Sequence, residues 1–421
     1  MPTAGMGARA SIKGPYQGKF TPSLPLNLGS DSFINNKYEH YAWMREEAPV
    51  CPGKISLFRL KLLSRYEDCA QLAKDERFRR NRTRAVGGSR FPIPLPKSVQ
   101  AVAYSMIVED DPEHRRLRGL VNQAFKPAAV KRLGDQIEEL ADQLLDRLHG
   151  QQTIELLRDY ALPIPVTMIQ RLMGVPEQEM PQFRKVLGHL SDGLTGFQVI
   201  RTFLWDLPRS LKFMRAMVDR KRHHPEDDIL TALIHAEEEG DTLSEDELLS
   251  MCFLLIIAGY ETTSHLITNA VLTMLQHPDQ LERLREEPGL IGSAVEEVQR
   301  FNGPLHGAKL SYAIEDIDWN GELIRRGEPV MPLYGAANHD PTAFDNPETF
   351  DIAREPNHHF GFGHGVHFCL GAQLARMETK VALTRLFERF PDLRLAVSPE
   401  SLQFDKLPGW HRYKALPIRL F

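Results

Sequence analysis

The side chain best suited to catalysis or metal binding is that of Cys369, which follows a loop containing Gly361, Gly363 and Gly365. Glycines at this density indicate tight turns, some with left-handed backbone, or the close approach of another group. Good helix formers begin at Leu370, so the thiol is predicted to lie where a loop becomes a helix. Because amide donors and the dipole at a helix N-terminus stabilise a thiolate, the sulfur is a candidate nucleophile or metal ligand.

Other interpretations of this cysteine compete with that one. An isolated cysteine is more often a small buried hydrophobe, although such a residue needs no glycine loop. The neighbouring His358, His359, His364 and His367 suggest zinc, but no Cys-x-x-Cys occurs in the chain, and structural zinc sites favour paired cysteines. A cysteine hydrolase stays open, although the family-specific cysteine-protease signatures are absent.

The segment from Phe362 to Gly371 follows the pattern Phe-Gly-x-Gly-x-His-x-Cys-x-Gly. This pattern resembles, at every fixed position, the haem-binding signature of the cytochrome P-450 family of haem-thiolate monooxygenases, soluble bacterial type. The resemblance implies haem b (iron protoporphyrin IX) as the cofactor and Cys369 as the axial ligand of its iron. It assigns the cofactor-binding loop to Phe362, Gly363, His367, Cys369 and Gly371.

An apolar stretch from residue 243 to 276 is predicted to form one long, largely buried helix, and it contains Ala-Gly-Tyr-Glu-Thr-Thr at 258–263. A glycine inside a helix costs about 1 kcal/mol against alanine, and an acid in an apolar run costs more unless it is paired or hydrated. Such conflict with local rules is expected at functional sites. A kinked helix with a solvent-facing glutamate would explain it as well.

In the P-450 family the same helix pattern lies over the distal face of the haem. By resemblance, Thr262 supplies a hydrogen bond during oxygen activation and Glu261 helps to relay protons from solvent. Ala258 and Gly259 are expected to leave room for dioxygen and substrate beside the cofactor. The catalytic candidates are therefore Thr262 and Glu261.

Glu297 and Arg300 are three residues apart and so share one face of a predicted helix. Pairs of this kind are common on solvated helices and carry no meaning alone. In P-450 proteins the Glu-x-x-Arg pair is buried and joins a later arginine, for which Arg354 in Phe-x-x-x-Arg is the candidate. The resemblance therefore implies a structural network that fixes the cysteine loop.

His114 and Arg118 are four residues apart, after an Asp-x-Pro segment that is typical of a helix start. They could simply belong to a basic surface helix. The resemblance makes them ligands of the haem propionates, since two carboxylates need cationic donors where water is scarce, and gives His367 the same role from the other side. One position departs from the family: Ser311 stands where an arginine usually binds a propionate, and Lys309 is a candidate substitute.

These segments lie in a pattern of amphipathic helices, such as 129–149, followed beyond residue 305 by short strands, such as an Asn-Gly hairpin at 317–324. The prediction is a mainly α protein with minor β sheets, and the resemblance, from about residue 38 onward, implies the cytochrome P-450 fold. Residues 1–30 contain no acid but several Pro and Gly, and we expect a disordered N-terminal leader there. No linker or repeat divides residues 31–421, which are predicted to form a single cytochrome P-450 haem domain.

The 421 residues carry a net charge of −5 and four scattered cysteines, Cys51, Cys69, Cys252 and Cys369. This charge gives no drive toward nucleic acid, and scattered cysteines fit a reducing compartment rather than a disulfide framework. The longest apolar run, 251–259, is far shorter than the roughly 20 residues that span a bilayer. We expect a soluble bacterial protein of the cytoplasm without a membrane span.

The expected reaction inserts one atom of dioxygen into a hydrophobic small molecule, by hydroxylation or epoxidation. Thiolate ligation of haem iron favours the required oxygen–oxygen cleavage. We expect a ferredoxin and a ferredoxin reductase to supply the electrons, with NAD(P)H acting only through them, because no flavin or ferredoxin module follows the helix at Arg376. A peroxide-driven peroxygenase, against which Glu261 and Thr262 argue, and a non-catalytic haem-binding sensor are the alternatives.

By family analogy, the substrate pocket is lined by a Gly/Pro loop, the long helix and two later segments of the chain. Most of the candidate side chains are apolar, which favours a lipid, terpenoid or polyketide-like molecule. The candidates are Phe91, Ile93, Leu95, Leu254, Leu255, Leu305, His306 and Trp410.

Overall fold

A computed structural model describes residues 20–88, 105–124, 127–183, 205–238 and 241–421 of the chain. Most of these residues are helical. The helices are α1 Asp31–Asn35, α2 Lys37–Glu47, α3 Tyr66–Leu72, α4 Arg82–Val86, α5 Glu113–Ala124, α6 Pro127–Leu148, α7 Pro163–Leu172, α8 Leu207–His223, α9 Ile229–Ile234, α10 Glu245–Gln276, α11 Pro278–Glu286, α12 Ile291–Asn302, α13 Tyr334–Ala337 and α14 Ala372–Arg389.

The strands are short and form small sheets. They are β1 Leu26–Asn27, β2 Val50–Ile55, β3 Phe58–Leu63, β4 Phe78–Arg79, β5 Thr153–Glu155, β6 Glu237–Glu238, β7 Asp241–Thr242, β8 Ser311–Ala313, β9 Ile317–Trp319, β10 Glu322–Ile324, β11 Pro329–Pro332, β12 Arg394–Leu395 and β13 Pro417–Arg419. The largest sheet has the order β1-β2-β3-β11-β8-β4, a second has the order β12-β13-β5, and β6–β7 and β9–β10 are separate pairs. The prediction of a mainly α protein with minor sheets is confirmed.

Two sheet segments test the sequence predictions directly. The Asn-Gly hairpin is confirmed: β9 pairs with β10, and Asn320 and Gly321 between them have φ of 56° and 86°, as its tight turn requires. The expectation of a disordered leader over residues 1–30 needs a correction at its end, because Leu26–Asn27 pairs with β2 in the main sheet. Leu26 and Leu28 are only 2% and 1% exposed, so their burial anchors this part of the chain.

Helix α10 forms the centre of the largest hydrophobic core. Its N-terminus is closed by a capping box in which the Ser244 hydroxyl accepts from the Glu247 N–H and the Glu247 carboxylate accepts from the Ser244 N–H, an arrangement worth about 1 kcal/mol. The helix is long and apolar enough to cross a membrane. However, 72% of its most apolar window is buried inside the protein, which is typical of a core helix.

Helix α14 positions the cysteine loop. It packs against α6, α10 and α12, and its inward residues, including Ala382, Leu383 and Leu386, are fully buried. The helix begins at Ala372, shortly after Cys369. The apolar packing of α14 therefore holds the loop that precedes it against the centre of the molecule.

Candidate functional site

Left-handed glycines and main-chain hydrogen bonds hold the cysteine loop. Gly363 and Gly365 have φ of 78° and 67°, a conformation that costs most other residues free energy. The Cys369 N–H donates to the Phe362 carbonyl oxygen at 2.8 Å, and the Phe368 N–H donates to the Gly365 carbonyl oxygen at 3.0 Å. The backbone therefore fixes the sulfur at the junction of loop and helix.

The Cys369 thiol lies in a recess. Its residue is accessible to solvent, yet desolvation raises its pKa, while the Gly371 N–H and the charges of Arg118 and Arg376 act in the opposite direction. A group that is both accessible and desolvated has protein on most sides and space on one. Because the raised pKa disfavours a free thiolate nucleophile, the sulfur is better suited to a metal cation that displaces its proton.

Helix α10 carries an accessible stripe within its otherwise buried middle section. Leu255, Ala258, Gly259 and Thr262 keep partial or full exposure, and their spacing of three and four residues places them on one face. The Thr262 hydroxyl donates to the Ala258 carbonyl oxygen at 2.6 Å. The stripe thus offers apolar and small side chains together with one hydroxyl group.

Gly259 has a packing role that the sequence did not suggest. A Cβ at this position would lie 2.5 Å from Cδ1 of Ile169 on α7, so any larger residue would force the end of the Ile169 side chain to move. On this side of Gly259, α7 takes the space that we expected to be free for dioxygen and substrate. Ala258, which is exposed, keeps its candidate position beside a bound molecule.

Glu261 is buried and forms an ion pair that sequence reasoning missed. Its Oε1 accepts from Nη1 of Arg412, and Nε of Arg412 donates to Oδ2 of Asp405 at 2.9 Å. Burial opposes the charge of Arg412, but the two carboxylates outweigh it and raise the arginine pKa. A second missed residue is His265, one turn after Glu261, whose pKa desolvation lowers to about 3 with help from Arg412. No local sequence signal links these segments.

The structure brings together the three predicted members of the ion network, Glu297, Arg300 and Arg354. Nη2 of Arg300 donates to Glu297 Oε1 at 2.7 Å, and Nε of Arg354 donates to both carboxylate oxygens at 3.1 Å. Both guanidinium groups also donate to main-chain carbonyl oxygens between residues 338 and 349. Because Glu297 is fully buried, this network ties α12 to the segment that leads into the cysteine loop.

Arg376 and Glu296 support the loop from α14 and α12. Arg376 donates to Glu296 through Nε at 2.6 Å and Nη2 at 2.8 Å, and its guanidinium lies 4.3 Å from the ring centroid of Phe362. Nε2 of His359 lies 3.1 Å from the same carboxylate. Desolvation works against the charge of Glu296, but these two partners lower its pKa to about 2.

A group of cationic side chains borders the recess on the other side. This group, called the cation cluster below, consists of Arg80, His114, Arg118, Lys309 and His367. The rings of His114 and His367 are 4.1 Å apart between centroids, and Nη1 of Arg118 donates to the Phe368 carbonyl oxygen at 2.8 Å. Desolvation and neighbouring positive charge lower the pKa of both histidines, that of His367 to about 2. Sequence reasoning did not include Arg80, which no local pattern separates from the other arginines near it.

The predicted substrate contacts divide into three groups. Phe91, Ile93 and Leu95 lie outside the described residues. Leu254 and Leu255 are half-buried beside the core, and Leu305 pairs through a β-bridge with Trp410, which is half-buried. Together these last four keep apolar surface near α10 and the C-terminal segment.

The side chain of His306 is buried among other side chains. It is 3% exposed, its Nδ1 lies 3.1 Å from the Tyr41 hydroxyl, and its ring stacks on His411 at 4.3 Å between centroids. A buried imidazole needs a polar partner, and Tyr41 supplies one. A substrate contact for His306 stays a prediction.

The chain is similar to known proteins of one family. The cytochrome P450 family model matches residues 198–406. The polyketide biosynthesis cytochrome P450 PksS of Bacillus subtilis is 36% identical over 394 residues, which cover 92% of this chain and 96% of that protein. A solved structure of PksS has a TM-score of 0.88, with 35% identity and 94% of this chain and 99% of that chain covered.

Two further relatives extend the comparison. Cytochrome P450 107B1 of Saccharopolyspora erythraea is 38% identical over 393 residues, which cover 92% of this chain and 96% of that protein. A solved structure of P450BioI in complex with hexadec-9Z-enoic acid ligated to acyl carrier protein has a TM-score of 0.84, with 35% identity and coverage of 93% and 99% of the two chains. The chain belongs to the cytochrome P450 family and has its fold. It is accordingly an oxidoreductase of the monooxygenase class.

Haem, the cofactor that the family implies, fits the residues present. Cys369 supplies a sulfur ligand inside a recess, and the cation cluster supplies donors for the carboxylates of a haem. Nε2 of His114 is buried and has no hydrogen-bond partner among the described residues, which suits a donor to a ligand group. Within the described part of the chain no His, Cys, Asp and Glu side chains group as a separate metal site, so the zinc interpretation gains no support.

Proposed function

We propose that the protein is a haem-thiolate monooxygenase that oxidises a fatty acyl or polyketide-like chain. Electrons would come from NAD(P)H through a ferredoxin reductase and a ferredoxin in the bacterial cytoplasm. The observation that carries the proposal is the recess at Cys369, bordered by the cation cluster on one side and packed through α14 against α10. Haem bound there supplies the activation of dioxygen.

Cys369 is proposed to be the residue that would supply a thiolate ligand to the haem iron. Its proton is held by a raised pKa, so ligation to iron has to displace that proton, and the Gly371 N–H then faces the negative sulfur. Arg118 and Arg376 are close enough to stabilise that charge. The cysteine therefore sets the electronic character of the iron and does not attack substrate.

The substrate class is proposed from the apolar stripe and from the relatives. Leu254, Leu255 and Ala258 expose carbon surface on α10, which favours an acyl or polyketide chain over a polar molecule. PksS is named for polyketide biosynthesis, and P450BioI is seen with a fatty acid on acyl carrier protein. A spectral-shift screen of fatty acids, acyl carrier conjugates and macrolides against terpenes and steroids tests this class.

Proton supply is proposed to depend on Glu261 and its ion pair. The ion pair with Arg412 holds the Glu261 carboxylate in place, so the carboxylate has to leave the guanidinium before it can take part in a proton relay. Asp405, which is about one-third exposed, offers the guanidinium a second partner during that release. Glu261 could then pass the proton toward the hydroxyl of Thr262, which is one residue further along α10.

The first experiment is the absorption spectrum of the reduced, carbon-monoxide-bound protein. Haem-thiolate ligation predicts the red-shifted band of that complex, and Cys369→Ser should abolish it while Cys252→Ser, at a buried core cysteine, keeps it. A wild-type protein that binds haem without the shifted band would exclude the thiolate and with it the monooxygenase proposal.

The second experiment separates monooxygenase from peroxygenase and sensor. Turnover with ferredoxin, reductase and NAD(P)H is expected to exceed turnover with peroxide alone, and Thr262→Ala should lower the product formed per electron several-fold without loss of haem. Thr263→Ala is the matched neighbour. Product formation with peroxide only would favour the peroxygenase, and no product under either condition would favour the sensor.

A further inference from the structure

Arg80 directly follows β4, and the register of β4 with β8, continued by one residue, leads to Ser311. The antiparallel register pairs Phe78 with Ala313 and Arg79 with Tyr312, so the next pair after the end of β4 is Arg80 and Ser311. Residues opposite each other in an antiparallel pair project to the same face with Cβ atoms about 5 Å apart. The side chain of Arg80 is therefore expected to project to the same face of the sheet as an arginine at position 311 would.

The guanidinium of Arg80 is poorly satisfied by the protein itself. Its one side-chain hydrogen bond among the described residues runs from Nη1 to the Ile107 carbonyl oxygen at 3.3 Å, although a guanidinium has five N–H donors. The nearest carboxylate, Asp110, already accepts from the main-chain N–H groups of Arg80 and Asn81 at 2.8 and 3.0 Å. Donors of this kind, on a rigid strand end, are available to an external anion.

The space in front of Arg80 is a cavity that reaches the cysteine loop. A cavity of about 320 Å³ is lined by Arg80, Ser311 and Tyr334 from the sheet side and by His367 from the cysteine loop. The charge of Arg80 also reaches His114, His367 and Lys309 and lowers the pKa of each, after the larger effect of desolvation. Arg80 and His367 thus border one cavity, in which a bound anion would be able to accept from the guanidinium.

Lys309 is the other candidate for the missing arginine, and the structure favours Arg80 over it. Lys309 lies before the start of β8, and its flexible ammonium has to be ordered at an entropic cost to hold an anion. Arg80 is half-buried, directly follows β4 and carries a planar fork that matches a carboxylate.

We propose that Arg80 binds a haem propionate from β4, in place of the arginine that Ser311 replaces on β8. The proposal rests on the haem cofactor that the family implies. The chain would thus keep one positive charge at the same point of the recess but supply it from the opposite strand of the pair.

The test is the rate at which the purified holoprotein loses haem to an excess of a haem-scavenging protein. Arg80→Gln should raise this rate by about tenfold or more, since hydrogen bonds between charged groups are the strong ones. Arg79→Gln is the matched control, because Arg79 belongs to the same strand, projects to the other face and donates to main-chain carbonyl oxygens. Its haem loss should stay at the wild-type rate.

A charge-relocation variant makes the test specific for position. Arg80→Gln combined with Ser311→Arg should restore haem retention and also return the reduction potential, which the single variant shifts to more negative values. Wild-type haem loss in Arg80→Gln, or a larger effect of Lys309→Gln than of Arg80→Gln, would overturn the assignment. If Arg80→Gln cannot be isolated with haem, Arg80→Lys gives the graded measurement. The carbon-monoxide spectrum of each variant reports separately on Cys369.

Discussion

The ion network of Glu297, Arg300 and Arg354 and the cation cluster both border the cysteine loop, but only the network satisfies its own charges. The Glu297 carboxylate accepts from both arginines, which also donate to carbonyl oxygens. In the cation cluster, His114 Nε2 is buried without a hydrogen-bond partner among the described residues, and the Arg80 guanidinium makes a single side-chain hydrogen bond there. Satisfied buried charges hold the fold, whereas unsatisfied ones are available to a ligand.

The largest expected effect comes from breaking the ion network. Glu297→Gln leaves two arginines facing a neutral group in a fully buried site, and the free energy of unfolding should fall by about 3–5 kcal/mol. Denaturant unfolding of the holoprotein measures it. Glu287→Gln is the control, because its pair with Arg283 is exposed and should matter by less than about 1 kcal/mol. Equal effects of the two variants would contradict the distinction.

The second effect is a loss of stability in acid that arises from Glu296, which is paired with Arg376 and His359. Arg376 and His359 lower the folded-state pKa of Glu296 to about 2, despite desolvation. Below pH 4.5 the unfolded chain therefore binds a proton that the folded protein refuses, so stability falls as the pH drops from about 4.5 toward 2, by at most about 3 kcal/mol.

The matched variant for this pH effect is Glu296→Gln. Its free energy of unfolding should be lower than that of the wild type at pH 6, and the gap should narrow as the pH falls below 4.5. Denaturant titrations at several pH values measure the gap. A gap that stays constant from pH 6 to pH 3 would show that Glu296 titrates normally.

Features carried by local patterns could be predicted from the sequence. The turn at Asn320 and Gly321 follows from the conformational freedom of two adjacent residues. The pairing of Glu297 with Arg300 follows from helix spacing. Left-handed glycines before Cys369 likewise require only a short segment. In each case the physical cause lies within about ten residues of chain.

Features that depend on distant segments could not be predicted in the same way. The pair of Glu261 with Arg412 joins positions 151 residues apart, and Gly259 is small because of Ile169 on another helix. The importance of Arg80 depends on the register between β4 and β8. Tertiary packing decides these contacts, and the sequence around each residue does not indicate its partner.

The third effect is faster haem loss when a residue of the cation cluster is changed. His114→Phe keeps a ring but removes the donor at Nε2 that no described residue uses. A hydrogen bond to a charged group contributes about 1.5–3 kcal/mol, so the holoprotein should lose haem at least about tenfold faster. His114→Gln, which keeps an N–H donor, should lose it more slowly than His114→Phe. Identical haem loss in His114→Phe and wild type would remove His114 from the propionate site.

The smallest effect tests whether every buried cationic side chain indicates a ligand-binding site. Lys37 is a buried cationic side chain for which we expect no ligand. This lysine is 5% exposed, donates from Nζ to the Trp410 carbonyl oxygen at 2.6 Å, and lies with Nζ 3.4 Å from Nδ1 of His411. Desolvation lowers its pKa to about 7. Lys37 can therefore relieve its burial by losing a proton, which the arginines of the cation cluster cannot do.

The consequence for Lys37 is a stability that rises with pH. Above pH 7 the folded protein releases a proton that the unfolded chain keeps up to about pH 10.5, so the free energy of unfolding should increase by about 1 kcal/mol between pH 7 and 8. Denaturant unfolding of the holoprotein at the two pH values measures the increase, and Lys37→Met should remove it. If the variant shows the same increase as the wild type, Lys37 stays charged at pH 8 and would need an anionic partner after all.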